Sequence, residues 1–153
     1  MKILNNIEIE KKELIKYRLK GIEPLLVVAG LIEKEGKYLI AQRITGDLAV
    51  IGKWEFPGGK VKVGEAESAA IEREIKEEFN MGIKADRYVT SVIHDYIDRV
   101  VYLKLWHATV IDDSFKMDEF DHRAFKWVTL EEINPEDLCP ADKRLYVKII
   151  PKN

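Results

Sequence analysis

Glu74, Glu77 and Glu78 stand at positions i, i+3 and i+4. On a helix this spacing puts three carboxylates on one face. Like charges so placed repel each other, so the arrangement is destabilising until a partner is supplied. A divalent cation resolves the conflict, and hard oxygen donors suit Mg²⁺ or Mn²⁺. Mg²⁺ is commonly held by one or two carboxylates together with substrate phosphates. The Gly58-Gly59 pair just ahead of this segment points the same way, toward phosphate chemistry. Arg73 adjoins Glu74 and can orient its carboxylate. Taken alone, three glutamates also fit a solvated, Glu-rich surface helix.

These residues need elements to position them. The run from about Ala66 to Phe79 has Ala66, Ala69, Ala70, Ile71 and Ile75 on one side and acids on the other, the pattern of an amphipathic helix. Asn80 can end it, because Asn tolerates the left-handed conformation. Leu25–Ile32 reads as a buried strand. Lys34-Glu35-Gly36-Lys37 is a turn with Gly36 suited to positive φ, and Tyr38–Arg43 is the returning strand. Trp54-Glu55-Phe56 is a short strand stopped by Pro57-Gly58-Gly59. Two further strands are expected over Tyr88–Tyr96 and Val100–Val110, then an acidic loop from Asp112 to Phe120. A strand over Ala124–Val128 precedes a helical turn at Thr129–Ile133, and Pro140 opens a last helix to about Ile149. Strands interleaved with helices over one core imply an α/β fold with a central mixed β-sheet. Residues 1–21 are an extension readable as helix or strand; residues 22–153 form the domain.

The window from Gly59 to Met81 resembles the signature of the Nudix hydrolase family, G-x5-E-x7-R-E-U-x-E-E-x-G-U, where U is a bulky aliphatic residue. Gly59, Glu65, Arg73, Glu74, Ile75, Glu77, Glu78 and Met81 fall in register, and the departure is Asn80, where the family has Gly. The resemblance implies an α/β/α sandwich and a Mg²⁺-binding strand-loop-helix, with Mn²⁺ as a substitute. Such enzymes split a nucleoside diphosphate linked to another moiety. Carried over by position, Glu77, Glu78 and the Gly58 carbonyl are metal ligands. Glu74 is a general base or further ligand, Arg73 orients it, Lys60 faces the phosphates and Glu65 braces the loop.

The likeness runs from about Pro24 to Ile149 and extends to the MutT-like branch, which includes 8-oxo-dGTP diphosphatases and CTP pyrophosphohydrolases. Trp54-Glu55-Phe56-Pro57-Gly58-Gly59-Lys60 matches that branch's entry into the signature. Arg43 sits where the branch has an arginine near the nucleotide. Tyr96-Ile97-Asp98-Arg99 resembles its Phe-Pro-Asp-Arg segment, which makes Tyr96 a base-stacking and Arg99 a base or phosphate contact. Cys139-Pro140-Ala141-Asp142 resembles the motif before its last helix, with Asp142 reading the base. An ionised Asp142 accepts hydrogen bonds only and suits an amino group such as cytosine N4; a protonated one suits an oxidised purine and needs a raised pKa. The same likeness implies an acid before Trp127 that approaches the metal, either Asp121 or Glu119.

Composition agrees. A chain of 153 residues, 46% hydrophobic and 34% charged, makes one ordinary domain and excludes a disordered or collagen-like one. The formal net charge of −2 disfavours nucleic-acid polymers and a polybasic membrane-surface role. From Glu65 to Glu78, six Glu face Arg73 and Lys76, a local charge of −4 that leaves the remainder at +2. The lone Cys139 makes no internal disulfide, which suits a reducing, cytoplasmic setting. The N-terminus lacks a signal-peptide pattern, and no apolar run spans a membrane. The expected activity is Mg²⁺-dependent nucleoside triphosphate pyrophosphohydrolysis, releasing a monophosphate and pyrophosphate. The substrates are cytidine or oxidised nucleotides, handled by a monomer or homodimer. Alternatives are ADP-ribose or dinucleoside polyphosphate hydrolysis, or a non-catalytic nucleotide-binding module.

Overall fold

The computed structural model describes residues 6–151. Its elements are α1 (Asn6–Leu19), β1 (Leu25–Lys34), β2 (Lys37–Arg43), β3 (Trp54–Glu55), β4 (Gly58–Lys60), α2 (Glu67–Phe79), β5 (Gly82–Asp95), β6 (Val100–Asp112), β7 (His122–Val128) and α3 (Pro140–Ile149), with short 3-10 turns between β7 and α3. The sheet runs β3-β2-β1-β6-β5, with β4 added to β1 and β7 to β2. Strands β1 and β6 are parallel from Leu25↔Val101 to Glu33↔Thr109, and the other pairings are antiparallel. The sheet is therefore mixed, as the sequence implies.

The apolar run of β1 is buried on both faces because helices cover both. Val28 and Ile32 face the core under α2, while Ala29 and Leu31 face the core under α3. Helix α2 buries Ala70, Ile71, Ile75 and Phe79. Each large aliphatic or aromatic side chain so buried stabilises the fold by roughly 1.5–3 kcal/mol. The helix ends at Asn80, whose φ of 50° is left-handed and whose N–H donates to the Lys76 carbonyl. The open choice at the N-terminus resolves as helix: Glu10 of α1 accepts hydrogen bonds from Tyr102 Oη at 2.9 Å and from the Ser91 hydroxyl.

Along its second edge β1 changes partner. It pairs with β2 at Glu33↔Tyr38 and Lys34↔Lys37, and with β4 at Val27↔Lys60, Val28↔Gly59 and Ala29↔Gly58. The sequence reading stops the preceding strand at Pro57-Gly58-Gly59, yet these glycines lie in or beside a strand. A Cβ at Gly58 would run into the Val28 carbonyl, so glycine here marks close backbone approach rather than a turn. Strand β5 begins six residues before Tyr88. Register shifts between Ala85 and Arg87 and between Tyr88 and Thr90 break the period-two pattern that would have revealed it.

Candidate active site

A cavity of about 330 Å³ opens where β1 parts from β2, and is lined by residues from β1, β2, β3, β4, α2, the turn between β5 and β6, β6 and the start of α3. Eight residues singled out from the sequence line it: Arg43, Gly58, Lys60, Glu78, Tyr96, Arg99, Asp121 and Asp142. Arg73, Glu74 and Glu77 lie outside this lining. Glu119 instead lines a separate groove of about 800 Å³ among Phe115, Phe120 and Phe125. Of the two rival acids before Trp127, the structure brings Asp121 to the cavity.

Helix α2 separates its three carboxylates by task. Glu78 is directed inward, and its Oε2 is buried without a hydrogen-bond partner among the described residues. Burial, followed by the carboxylates of Glu74, Glu55 and Asp121, pushes its pKa up to about 9. Glu74 packs against Gly59, where any Cβ would meet its carboxylate. Glu77 is half exposed and reaches Arg73 at 3.3 Å. Arg73 is the hub of this region. It donates to Glu65 at 2.7 and 3.0 Å, to Glu74 at 3.0 Å and to the Lys60 carbonyl at 3.1 Å. That two-pronged guanidinium contact, with the Lys62 N–H, holds the Glu65 pKa down to about 2.

Opposite α2, the cavity wall is a closed circuit of polar contacts. Arg43 Nη1 donates to Glu55 at 3.2 Å, and its Nη2 donates to Thr45 Oγ1 at 3.3 Å. The Thr45 hydroxyl donates to Asp121 at 3.0 Å. His122, the next residue, returns to Glu55 through Nε2 at 2.7 Å. Its ring stacks on Phe79 with centroids 5.6 Å apart. Arg43 is thus fixed between two acids rather than free to move.

At the far end, Tyr96 Oη accepts the Ala141 N–H at 3.0 Å, the Arg99 guanidinium lies 4.8 Å from its ring centroid, and His94 packs edge-on at 4.4 Å. Asp142 is buried and its Oδ1 accepts the Phe56 N–H at 3.0 Å. Burial, then the Glu55 charge, raises its pKa well above the usual carboxylate range. Burial likewise pushes the Cys139 thiol up.

Sequence reasoning missed Glu55 and Thr45, whereas His122, readable as a strand residue with its own partner, lies in β7 bonded to Glu55. For Glu55 a local signal existed. Alternation in Trp54-Glu55-Phe56 turns Glu55 away from the side that buries Phe56, toward the cavity. The partners of Glu55, at positions 43, 122 and 142, are distant in sequence and left no such trace.

Among the described residues, Glu55, Cys139 and Asp142 form a group of potential ligands whose donor atoms lie within 4.8 Å of one another. The Glu78 environment fits a cation on other grounds: a bound positive charge would offset the burial and the three neighbouring acids that otherwise keep this orphaned carboxyl neutral.

Comparison with known proteins adds four findings. Residues 27–148 match the family described as NUDIX domain. The chain is 38% identical over 117 residues to the CTP pyrophosphohydrolase of Escherichia coli K12, covering 76% of this chain and 84% of that protein. It is 37% identical over 120 residues to a putative 8-oxo-dGTP diphosphatase 2 of Mycobacterium tuberculosis, covering 77% and 82%. In structure it superposes on the E. coli ORF135 protein with a TM-score of 0.69, 33% identity, and coverage of 84% and 89%.

Proposed function

This chain belongs to the Nudix hydrolase family, and from that premise we propose that it is a Mg²⁺-dependent nucleoside triphosphate pyrophosphohydrolase that cleanses the nucleotide pool. The observation that carries the reading is the single cavity that joins the orphaned Glu78 carboxylate to Lys60, Arg43, Arg99 and Asp142. An acidic end and a cationic wall suit a polyphosphate, while a buried polar pocket suits a base.

Glu74, Glu77, Glu78 and the Gly58 carbonyl would hold Mg²⁺, or Mn²⁺ in its place. The ion supplies charge neutralisation and a more acidic bound water. Lys60, Arg43 and Arg99 receive the phosphate chain. Glu74, held at 3.0 Å by Arg73, takes the proton of the attacking water. The water oxygen bonds to phosphorus as the anhydride bond breaks, releasing a nucleoside monophosphate and pyrophosphate. Asp121 adds negative charge opposite Glu78, and Tyr96 and Asp142 bound the base. The lone buried thiol fits a cytoplasmic setting, and the fold suits a monomer or homodimer.

One observation favours oxidised guanine over cytosine as the preferred base. Burial and the Glu55 charge favour the protonated form of Asp142 over the ionised one. It can then donate to a base carbonyl, which an ionised carboxylate cannot. A pyrophosphate-release assay over normal, methylated and oxidised triphosphates tests both levels. Turnover of 8-oxo-dGTP above CTP is expected with Mg²⁺. Metal binding without turnover on any nucleotide would leave a non-catalytic module. Turnover only on ADP-ribose or dinucleoside polyphosphates would reassign the substrate.

A further inference from the structure

We propose that Cys139, Glu55 and Asp142 form a second cation site, on the floor of the cavity, for a thiophilic divalent ion such as Zn²⁺. The three donor atoms already lie within 4.8 Å of one another. In a tetrahedral zinc site, Zn–S near 2.3 Å and Zn–O near 2.1 Å place neighbouring ligands about 3.5 Å apart. A closure of about 1 Å would complete the triangle, with the fourth position open to the cavity.

Each donor has capacity left. Cys139 is 2% exposed and its thiol is in no disulfide. It is a buried polar atom aimed at two acids. Asp142 uses Oδ1 on the Phe56 N–H, which leaves Oδ2. Glu55 Oε2 serves both Arg43 and His122, but Oε1 has only a long contact to Arg43 at 3.4 Å. Binding needs the thiolate and the carboxylate forms, so the protons these ligands carry pass to solvent.

Donor softness separates this site from the acidic helix. A thiolate favours Zn²⁺ or Cd²⁺, whereas Mg²⁺ demands oxygen ligands in octahedral geometry. The site does not depend on the proposed reaction. Its consequence does: an ion bonded to Asp142 occupies the place assigned to the base, so Zn²⁺ would raise KM for the nucleotide without displacing Mg²⁺.

The full chain contains one cysteine, so thiolate-to-cadmium charge-transfer absorbance reports Cys139 alone. Chelator-treated protein titrated with Cd²⁺ is expected to develop this band at one equivalent, with excess Mg²⁺ unable to remove it. Cys139→Ser should abolish it. Glu55→Gln and Asp142→Asn should each weaken Cd²⁺ by about tenfold or more, and either variant suffices if melting shows that the other fails to fold. Absence of the band overturns the proposal. So does an affinity unchanged in a folded carboxylate variant, which would mean a lone thiol.

Discussion

Glu78 shows what one residue in the wrong dielectric does. Its carboxyl has a folded-state pKa of about 9 against an ordinary value of 4.5. A raised carboxyl stabilises the protonated folded state, so its contribution is fully present below about 4.5 and is lost as pH rises through about 9. Metal-free protein should therefore soften as pH rises across this window. Glu78→Gln should raise the melting temperature of the metal-free form at pH 8 and abolish the rise produced by Mg²⁺. It should also cut turnover by on the order of 100-fold or more. A Mg²⁺-induced shift that survives in this variant would remove Glu78 from the metal site. At Asp142 the base preference turns on a proton. Asp142→Asn keeps a donor and an acceptor, so preference for 8-oxo-dGTP over CTP should persist, while Asp142→Ala should erase it. Competition assays on mixed substrates decide this, and a reversal toward CTP in the Asn variant would contradict the protonated state.

Strand β4 and helix α2 work as a unit because Arg73 ties the loop between them. Arg73→Lys keeps charge but loses the planar fork that spans Glu65, Glu74 and the Lys60 carbonyl. Activity should fall about 10–100-fold. The lowered pKa of Glu65 adds stability that is present above about 4.5 and lost as pH falls through about 2. In Arg73→Lys this resistance should fail at higher pH, visible as an earlier acid transition by circular dichroism. Gly58→Ala should destabilise by about 1–3 kcal/mol, because the added methyl meets the Val28 carbonyl; chemical denaturation measures it. The α2 segment was legible in the sequence because its information is local: carboxylates at helical spacing, a capping Asn80, an aliphatic face. The β4 glycines and the start of β5 were not. Close approach and register shifts both erase the periodicity on which reading depends. Glu55 escaped because its partners arrive from three other elements.

On the scale of the whole molecule, the mixed sheet brings two groups of residues to one opening. Arg43, Glu55 and Asp121 come from β2, β3 and the approach to β7, whereas Gly58, Lys60 and Glu78 belong to the β4–α2 unit, which Arg73 ties together from outside the lining. Coupling should follow that division. A double-mutant cycle on kcat/KM should give roughly 0.5–3 kcal/mol between Arg43→Ala and Glu55→Gln, which touch. Arg43→Ala and Arg73→Ala, which share no partner, should add within about 0.5 kcal/mol. Strong coupling in the second pair would show the two groups to be one network.

The change of partner along β1 gives this division a physical basis. Where β1 leaves β2 and takes up β4, backbone pairing between the two neighbours is interrupted. The interruption is a seam, and across it the two banks meet through side chains: Glu55 and Asp121 raise the Glu78 pKa, and His122 stacks on Phe79. Under the proposed function, a substitution that alters the grip on the nucleotide is therefore felt, through these contacts, at the carboxylate that would hold the metal.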